Sequence, residues 1–282
     1  MKKFFIFLLL IIFYSLIFSH SVYMKIEDKV LIKGLSENFK FNYPDFSDGF
    51  IVAIYGDSRW GAKIHKKIVG MISEFSPDVV VHLGDMVNKG NNLKDWELFF
   101  DITLPLRKNS YFQVVKGNHE NPDEFFIQFF GVDNYYSDFL NYRFIYLDVD
   151  TGLENIKKFL IENVSKNTIV FIHYPIFTVG GYCKNPTIKS MNSLHDLFRS
   201  LGIKLVFSAH DHNYQRFMVD GINYVITGGG GASLYSKKCD NDFLVKFYKE
   251  YNFVILNITN SIIKLTTYDI NKRIIDSLEI KF

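Results

Sequence analysis

No stretch of this 282-residue sequence carries five or more like charges in a row, which removes the electrostatic footprint of a nucleic-acid tail or of a field built for acidic substrates. Lys and Arg number 32 against 30 Asp and Glu, a formal net charge of +2, so charge pattern names no partner. No internal repeat is present, which excludes a solenoid or an array. A low-complexity linker is also missing, so nothing divides the chain after its N-terminal segment. Cysteine is scarce: Cys183 and Cys239 are the only two, allowing one bond at most. Both lie in Gly-, Asn- and Lys-rich stretches that read as loops. In an oxidising compartment they pair; two separate thiols is the other reading, and the sequence does not choose between them. Nothing in the chain speaks to oligomeric state.

What is present is material for a core. Hydrophobic residues make up 48% and aromatics 17%, enough for one large core or two modest ones. The first residues form a unit of their own. Met1-Lys2-Lys3 followed by Phe4 through Phe18, apolar apart from Ser15, reads as the positive and apolar regions of an export signal. Cleavage after Ser21 and retention as an N-terminal membrane anchor both fit residues 1–21. Either way the protein is expected outside the cytoplasm, and its only membrane contact would be this segment, if uncleaved. Residues 22–49 read as a polar lead-in, and residues 50–282 as the globular domain.

Within that domain apolar runs alternate with helical periodicity. Phe50 to Tyr55 is a short continuous apolar run, the pattern of a strand buried on both faces. Ile64, Ile68, Met71, Ile72 and Phe75 then fall at helical spacing before Pro77. Val79-Val80-Val81 is the next strand, and Leu93, Trp96, Phe100 and Leu104 line a helix that Pro105 is expected to close. Tyr111 to Val115, Tyr142 to Leu147 and Thr168 to Ile172 continue the strand series. Pro122 suits the first turn of a helix through Phe130, and helical patterns follow at 153–164 and 194–201. From Ile203 onward strands are separated by turns, with Asp220-Gly221 a hairpin signal. This order argues an α/β fold, a four-layer sandwich of two mixed β-sheets packed face to face with helices outside.

The strands end in chemistry. Asp57, Asp85, Asn118, His119, His173, His210 and His212 all follow apolar runs, and in an α/β sheet ligands gather outside the carboxyl ends of strands. A lone Asp after Gly is usually a turn or a cap, and a lone His usually structural; seven such groups in one kind of place is a different matter. Carboxylate oxygen with imidazole nitrogen is the donor set of Zn, Fe or Mn rather than Mg or Ca. The number of groups exceeds what one ion needs and suits a pair bridged by one Asp, an arrangement that serves phosphate-ester hydrolysis. By the same standard His65, His82 and His195 read as structural.

These motifs, Gly56-Asp57, Gly84-Asp85, Gly117-Asn118-His119-Glu120, Phe171-Ile172-His173-Tyr174-Pro175 and Ala209-His210-Asp211-His212, resemble in order those of the calcineurin-like metallophosphoesterases, a superfamily that includes the purple acid phosphatases. The stretch from Tyr224 to Ala232 looks like the tail of the bacterial members. The resemblance implies two divalent metal ions, Mn, Zn or Fe. Asp57 and His212 would bind the first, Asp85 would bridge, and Asn118, His173 and His210 would bind the second. It also implies a metal-bound hydroxide as nucleophile, with His119 facing the substrate and Glu120 orienting it from behind. The substrate implied is a small phosphate ester, monoester or diester, with nucleotides among the candidates.

The sequence departs from the family at three points. Arg59 stands where many members have a histidine ligand, and a guanidinium, always protonated, cannot ligate a metal. Asn88 stands where purple acid phosphatases carry their colour-giving tyrosine. Ala209 replaces the usual glycine before His210. The first metal is therefore short of a protein ligand unless Asn88 oxygen or water supplies it. Arg59 suits either a grip on substrate phosphate or a structural ion pair. An incomplete first site also leaves room for a catalytically weak or inactive phosphate- or nucleotide-binding member of the same fold. Against that stands His119, since a mere binder has no need of a leaving-group acid.

Overall fold

Strand β1 (Phe50–Tyr55) sets the frame, because its side chains alternate between two cores. Val52 and Ile54 face one buried cluster, while Ala53 and Tyr55 face another, the period-two alternation of any strand with both faces covered. The computed structural model describes Phe46, residues 49–131 and residues 133–282. The export segment, and all of the lead-in except Phe46 and Gly49, lie outside the described residues.

From β1 the chain winds through α1 (Ala62–Ser73), β2 (Val79–His82), α2 (Leu93–Asn109) and β3 (Tyr111–Val114), and the three strands pair in parallel. After α3 (Glu124–Phe130) the chain enters the other sheet with the antiparallel pair β4 (Tyr135–Phe139) and β5 (Tyr142–Leu147). Helix α4 (Leu153–Asn163) leads to β6 (Thr168–Ile172), and α5 (Pro186–Ser190) and α6 (His195–Ser200) lead to β7 (Leu205–Ser208). The strands β8 (Tyr214–Val219), β9 (Ile222–Thr227) and β10 (Leu244–Tyr248) complete that sheet. Finally β11 (Asn252–Ile258), β12 (Ile262–Asp269) and β13 (Ile274–Lys281) return to the first.

The six-stranded sheet has the order β13-β12-β11-β1-β2-β3 and the seven-stranded sheet β10-β8-β9-β7-β6-β5-β4. Both contain parallel and antiparallel pairs. Between them lies a core that includes Val52, Val81, Phe144, Phe171, Phe207 and Leu256. The outer face of the first sheet is covered by α1 and α2 through Ile68, Ile72, Trp96 and Phe100. The outer face of the second is covered by α4 and α6 through Ile156, Leu160 and Phe198. The result is the four-layer sandwich expected from the order of elements. At the Asp220-Gly221 hairpin both residues have positive φ, 47° and 82°, as a two-residue type I′ turn requires.

Three local expectations need correction. Helix α2 runs through Pro105 to Asn109. Proline forfeits its own N–H bond, but the turn beyond it is held by Arg107, whose Nε donates to Thr103 Oγ1 at 2.9 Å and whose Nη2 donates to Phe100 O at 2.6 Å. Pro122 precedes α3 rather than occupying its first turn, and its bond to Asn121 is cis. Strand β10 is absent from the sequence reading, since its side chains are mostly half-buried and lack a clean alternation. It pairs with β8 across a register shift.

Candidate metal centre at the strand ends

The carboxyl ends of β1, β2, β6 and β7 converge. Asp57, Asp85, His173 and His210 sit one to three residues past these strands, and His212 and Asn118 sit four past β7 and β3, where the backbone must turn sharply to project them. Asp57, Asp85 and His210 do this with φ of 57°, 56° and 66°, in the left-handed region that costs most L-residues energy and is tolerated best by Asp, Asn and His. Close packing beneath them demands glycine. A Cβ on Gly117 would stand 2.5 Å from Asp85 Oδ1, and one on Gly228 would stand 2.6 Å from Asp57 Oδ2. The glycine run 228–231 thus lies partly under Asp57.

Two groups of donor atoms come together, Asp85 with His173 and His210, and Asp57 with Asp85 and His212, and they share Asp85. Asp57, Asp85 and His173 are fully buried, and His210 and His212 nearly so. In the first group His173 Nε2 lies 3.4 Å from Asp85 Oδ1, 3.2 Å from His210 Nδ1 and 3.3 Å from Asn118 Oδ1. For a tetrahedral ion with bonds of about 2.0–2.1 Å the edge between ligands is about 3.3–3.4 Å, so these separations suit one. His173 Nδ1 lies 2.7 Å from the Leu83 carbonyl, an acceptor, so that nitrogen carries the hydrogen and Nε2 keeps its lone pair for a metal. His210 is pushed down to about 2 by burial, with His173 adding to the effect, so it too is a neutral donor.

In the second group Asp57 Oδ1 is buried without a hydrogen-bond partner and lies 3.5 Å from His212 Nε2. The other oxygen of Asp57 accepts from His210 N at 2.8 Å. His212 Nδ1 lies 2.8 Å from Ser233 O, which likewise leaves the lone pair on Nε2. Burial opposes charge on His212, but the neighbouring Asp57 carboxylate raises its pKa overall. Asp85 behaves oppositely. Burial works to raise its carboxyl, yet His173, Arg59 and His119 together hold it below its ordinary value.

His119 donates its backbone N–H to Asp85 Oδ1 at 3.0 Å, and its Nδ1 lies 2.8 Å from the Asn88 carbonyl. Expected to back the imidazole, Glu120 instead accepts from the N–H groups of Asp85, Met86, Val87 and Gly117 at 2.7–3.3 Å. It is a positioning residue that clamps the Asp85 turn to the Gly117 turn. Burial, then the charge of Asp85, pushes its carboxyl up to about 7. Asn88 enters through its backbone, as the partner of His119. Its side-chain Oδ1 is buried with no hydrogen bond. Arg59 pairs with Asp85, Nε to Oδ2 at 2.9 Å, the structural ion pair weighed from the sequence.

Around this centre stand residues that the sequence reading passed over. Tyr235 stacks on His212 with centroids 4.3 Å apart and planes 14° apart. Asp211, between the two histidines, accepts from Thr178 Oγ1 and, at 2.9 Å, from Gly181 N, binding the loop after β6 to the His210 turn. Its place inside the His-Asp-His motif was a signal; Tyr235 offered none. Tyr182 lies 4.0 Å from the His210 ring. Cys183 and Cys239 are bonded, with Cα atoms 6.3 Å apart, and tie the loop of Tyr182 to the segment after Tyr235.

A family model for calcineurin-like phosphoesterases matches residues 51–214, more than half of the chain and all of the converging strand ends. The chain belongs to the calcineurin-like phosphoesterase family. Its converging strand ends hold two candidate groups of metal donors. No protein among curated sequences matches it. Among solved structures it is similar to purple acid phosphatase PPD1 from yellow lupin, with 18% identity and a TM-score of 0.70 over 85% of this chain and 55% of that one. The chain thus spans little more than half the length of the lupin protein. It is also similar to GAP50, described as the anchor in the inner membrane complex of Plasmodium, with 17% identity and a TM-score of 0.69 over 83% and 89%. A dimetal phosphatase from Danio rerio aligns at 14% identity and a TM-score of 0.54 over 83% and 99%. At such identities these likenesses speak for the fold.

Proposed function

We propose that this phosphoesterase hydrolyses small phosphate monoesters or diesters at a dinuclear metal centre. The observation that carries this reading is the pair of donor groups sharing Asp85. Asp57, Asp85 and His212 would hold one ion, and Asp85, Asn118, His173 and His210 the other. When bound, a pair of divalent cations makes water acidic enough to supply a nucleophile near neutral pH and neutralises charge on the phosphoryl oxygens.

The chain's own residues supply the rest. Leu83 and Ser233 fix His173 and His212 through their carbonyls, so neither imidazole ring has to turn to present Nε2. The Asn88 carbonyl accepts from His119 Nδ1 and so orients the ring; in its imidazolium form the ring carries a second proton, on Nε2, that it can give to the departing oxygen. Trp60, two-thirds exposed and 5.4 Å from His119, offers a wall against which a leaving group can pack.

Turnover of chromogenic monoester and diester substrates, alongside metal analysis, tests the reading. His119→Ala is expected to lower kcat by about 10²-fold or more, the usual worth of a positioned acid, with metal content unchanged. Asp85→Asn is expected to lose both metal and activity. Tight phosphate binding without turnover across Zn, Mn, Fe and Co would defeat the proposal.

We also propose an extracytoplasmic location, supported by the export-like residues 1–21 and by the Cys183–Cys239 bond, which oxidising compartments favour.

A further inference from the structure

Arg59 is a buried cation with a specific seat. Its side chain is 3% exposed. Its Nε is 2.9 Å from Asp85 Oδ2, and its Nη2 is 3.4 Å from His212 Nε2. Those two residues are members of the donor group that would hold the first metal. A metal bonded to them at about 2.0–2.2 Å would compete with the guanidinium for the same two side chains, and a permanent positive charge so close would repel a divalent ion. In the other donor group His173 Nε2 lies 3.2–3.4 Å from Asp85 Oδ1, Asn118 Oδ1 and His210 Nδ1, and Arg59 bonds to that group only at the other oxygen of Asp85.

We propose that Arg59 is an internal placeholder for the first metal, so that the two ions load in sequence with widely separated affinities. The ion held by Asp85, Asn118, His173 and His210 binds tightly. The ion at Asp57, Asp85 and His212 enters only when Arg59 swings away. This rests on the dinuclear reading above and says how that centre fills.

The structure also provides somewhere for the side chain to go. A cavity of about 230 Å³ beside the site is lined by Arg59, Ser58, Trp60, Asn88, Asp95 and Phe99. Two buried polar atoms of these lining residues lack hydrogen bonds, Arg59 Nη1 and Asn88 Oδ1, a donor and an acceptor of matching kind. Trp60 already lies under the guanidinium, with Arg59 Cζ 4.0 Å from its ring centroid, and can follow it as a cation–π partner. Asn88, standing where a metal-binding tyrosine occurs in purple acid phosphatases, thereby gains a use as a seat for the displaced arginine.

The test is calorimetric titration of the metal-stripped protein with Zn²⁺ and, separately, Mn²⁺, with stoichiometry checked by elemental analysis. Wild type is expected to show one tight equivalent and a second at least about 100-fold weaker. Arg59→Gln, which removes the charge, is expected to tighten the second step by at least about tenfold, a modest share of a close, partly screened charge repulsion. Arg59→His, which restores the family's ligand, is expected to bind two equivalents of similar affinity. Thermal unfolding of the stripped proteins checks that both variants fold, and either one alone suffices. Two equal tight equivalents in wild type, or a second step unmoved in the variants, overturns the placeholder and leaves the dinuclear reading intact. No binding by wild type or variant overturns both.

Discussion

Histidine shows how one residue type takes opposite roles according to what surrounds it. His173 and His212 each spend one nitrogen on a backbone carbonyl and keep the other for the centre. His65 instead lies buried on α1, with Nε2 3.0 Å from Tyr55 Oη and its ring stacked on Phe99. Burial pushes His65 down to about 3 from its ordinary 6.5. The unfolded chain therefore takes up a proton between those values that the folded chain refuses, so stability is full above 6.5 and is lost as pH falls towards 3. In His65→Gln the urea midpoint should depend less steeply on pH across that window than in wild type. An unchanged slope would place the acid sensitivity elsewhere. His195, by contrast, stays at the surface side of α6, 3.2 Å from Asp220, and the structural reading of these histidines needs no metal.

At the scale of elements, function depends on how strands end. Parallel strands β1 and β2 deliver Asp57 and Asp85 at matching heights, because Tyr55 pairs with His82 in register. The turns after them nest: Asp57 N donates to Gly84 O at 3.0 Å, and Arg59 N to Asp85 O at 3.2 Å. Glu120 closes the third side by holding the N–H groups of residues 85–87. Gly117 is the point where the nest has no space to give, since an added Cβ would press on Asp85. Gly117→Ala is expected to cost about 1–3 kcal/mol, as overpacking does, and to weaken Zn²⁺ binding because Asp85 must shift. Wild-type metal affinity in that variant would show that the turn tolerates the methyl group.

Across the whole molecule, the two sheets carry complementary halves of the centre. Asp57, Asp85 and Asn118 follow strands of the six-stranded sheet; His173, His210 and His212 follow strands of the seven-stranded one. Sheet packing is therefore what assembles the donors, and the shared core of Val52, Val81, Phe144, Phe171 and Phe207 is a determinant of the site. The Cys183–Cys239 bond spans 56 residues of sequence, a loop whose closure in the unfolded state is worth about 4 kcal/mol in the chain-entropy account. Reduction, or Cys239→Ser with Cys183→Ser, should lower stability by up to that amount. Since the bond restrains the loop of Tyr182 beside His210, KM should rise more than kcat falls. Equal urea midpoints with and without reductant would show that the bond contributes nothing to stability.

Apart from α5 and β10, the order of helices and strands and the strand-end placement of Asp57, Asp85, Asn118, His119, His173, His210 and His212 were legible in the sequence. Each depends on a local signal: an apolar run long enough for a buried strand, then a turn residue, then a polar side chain. Helix α2 beyond Pro105 was not, because bonds from Arg107 to Thr103 and Phe100 help hold that turn and outweigh a propensity rule. Nor were the stacking of Tyr235 on His212, the service of Glu120 to Asp85, or the seat of Arg59 between Asp85 and His212. Residues 59, 85 and 212 are far apart in the chain, and only the packing of one sheet on the other decides which charged group a buried cation meets.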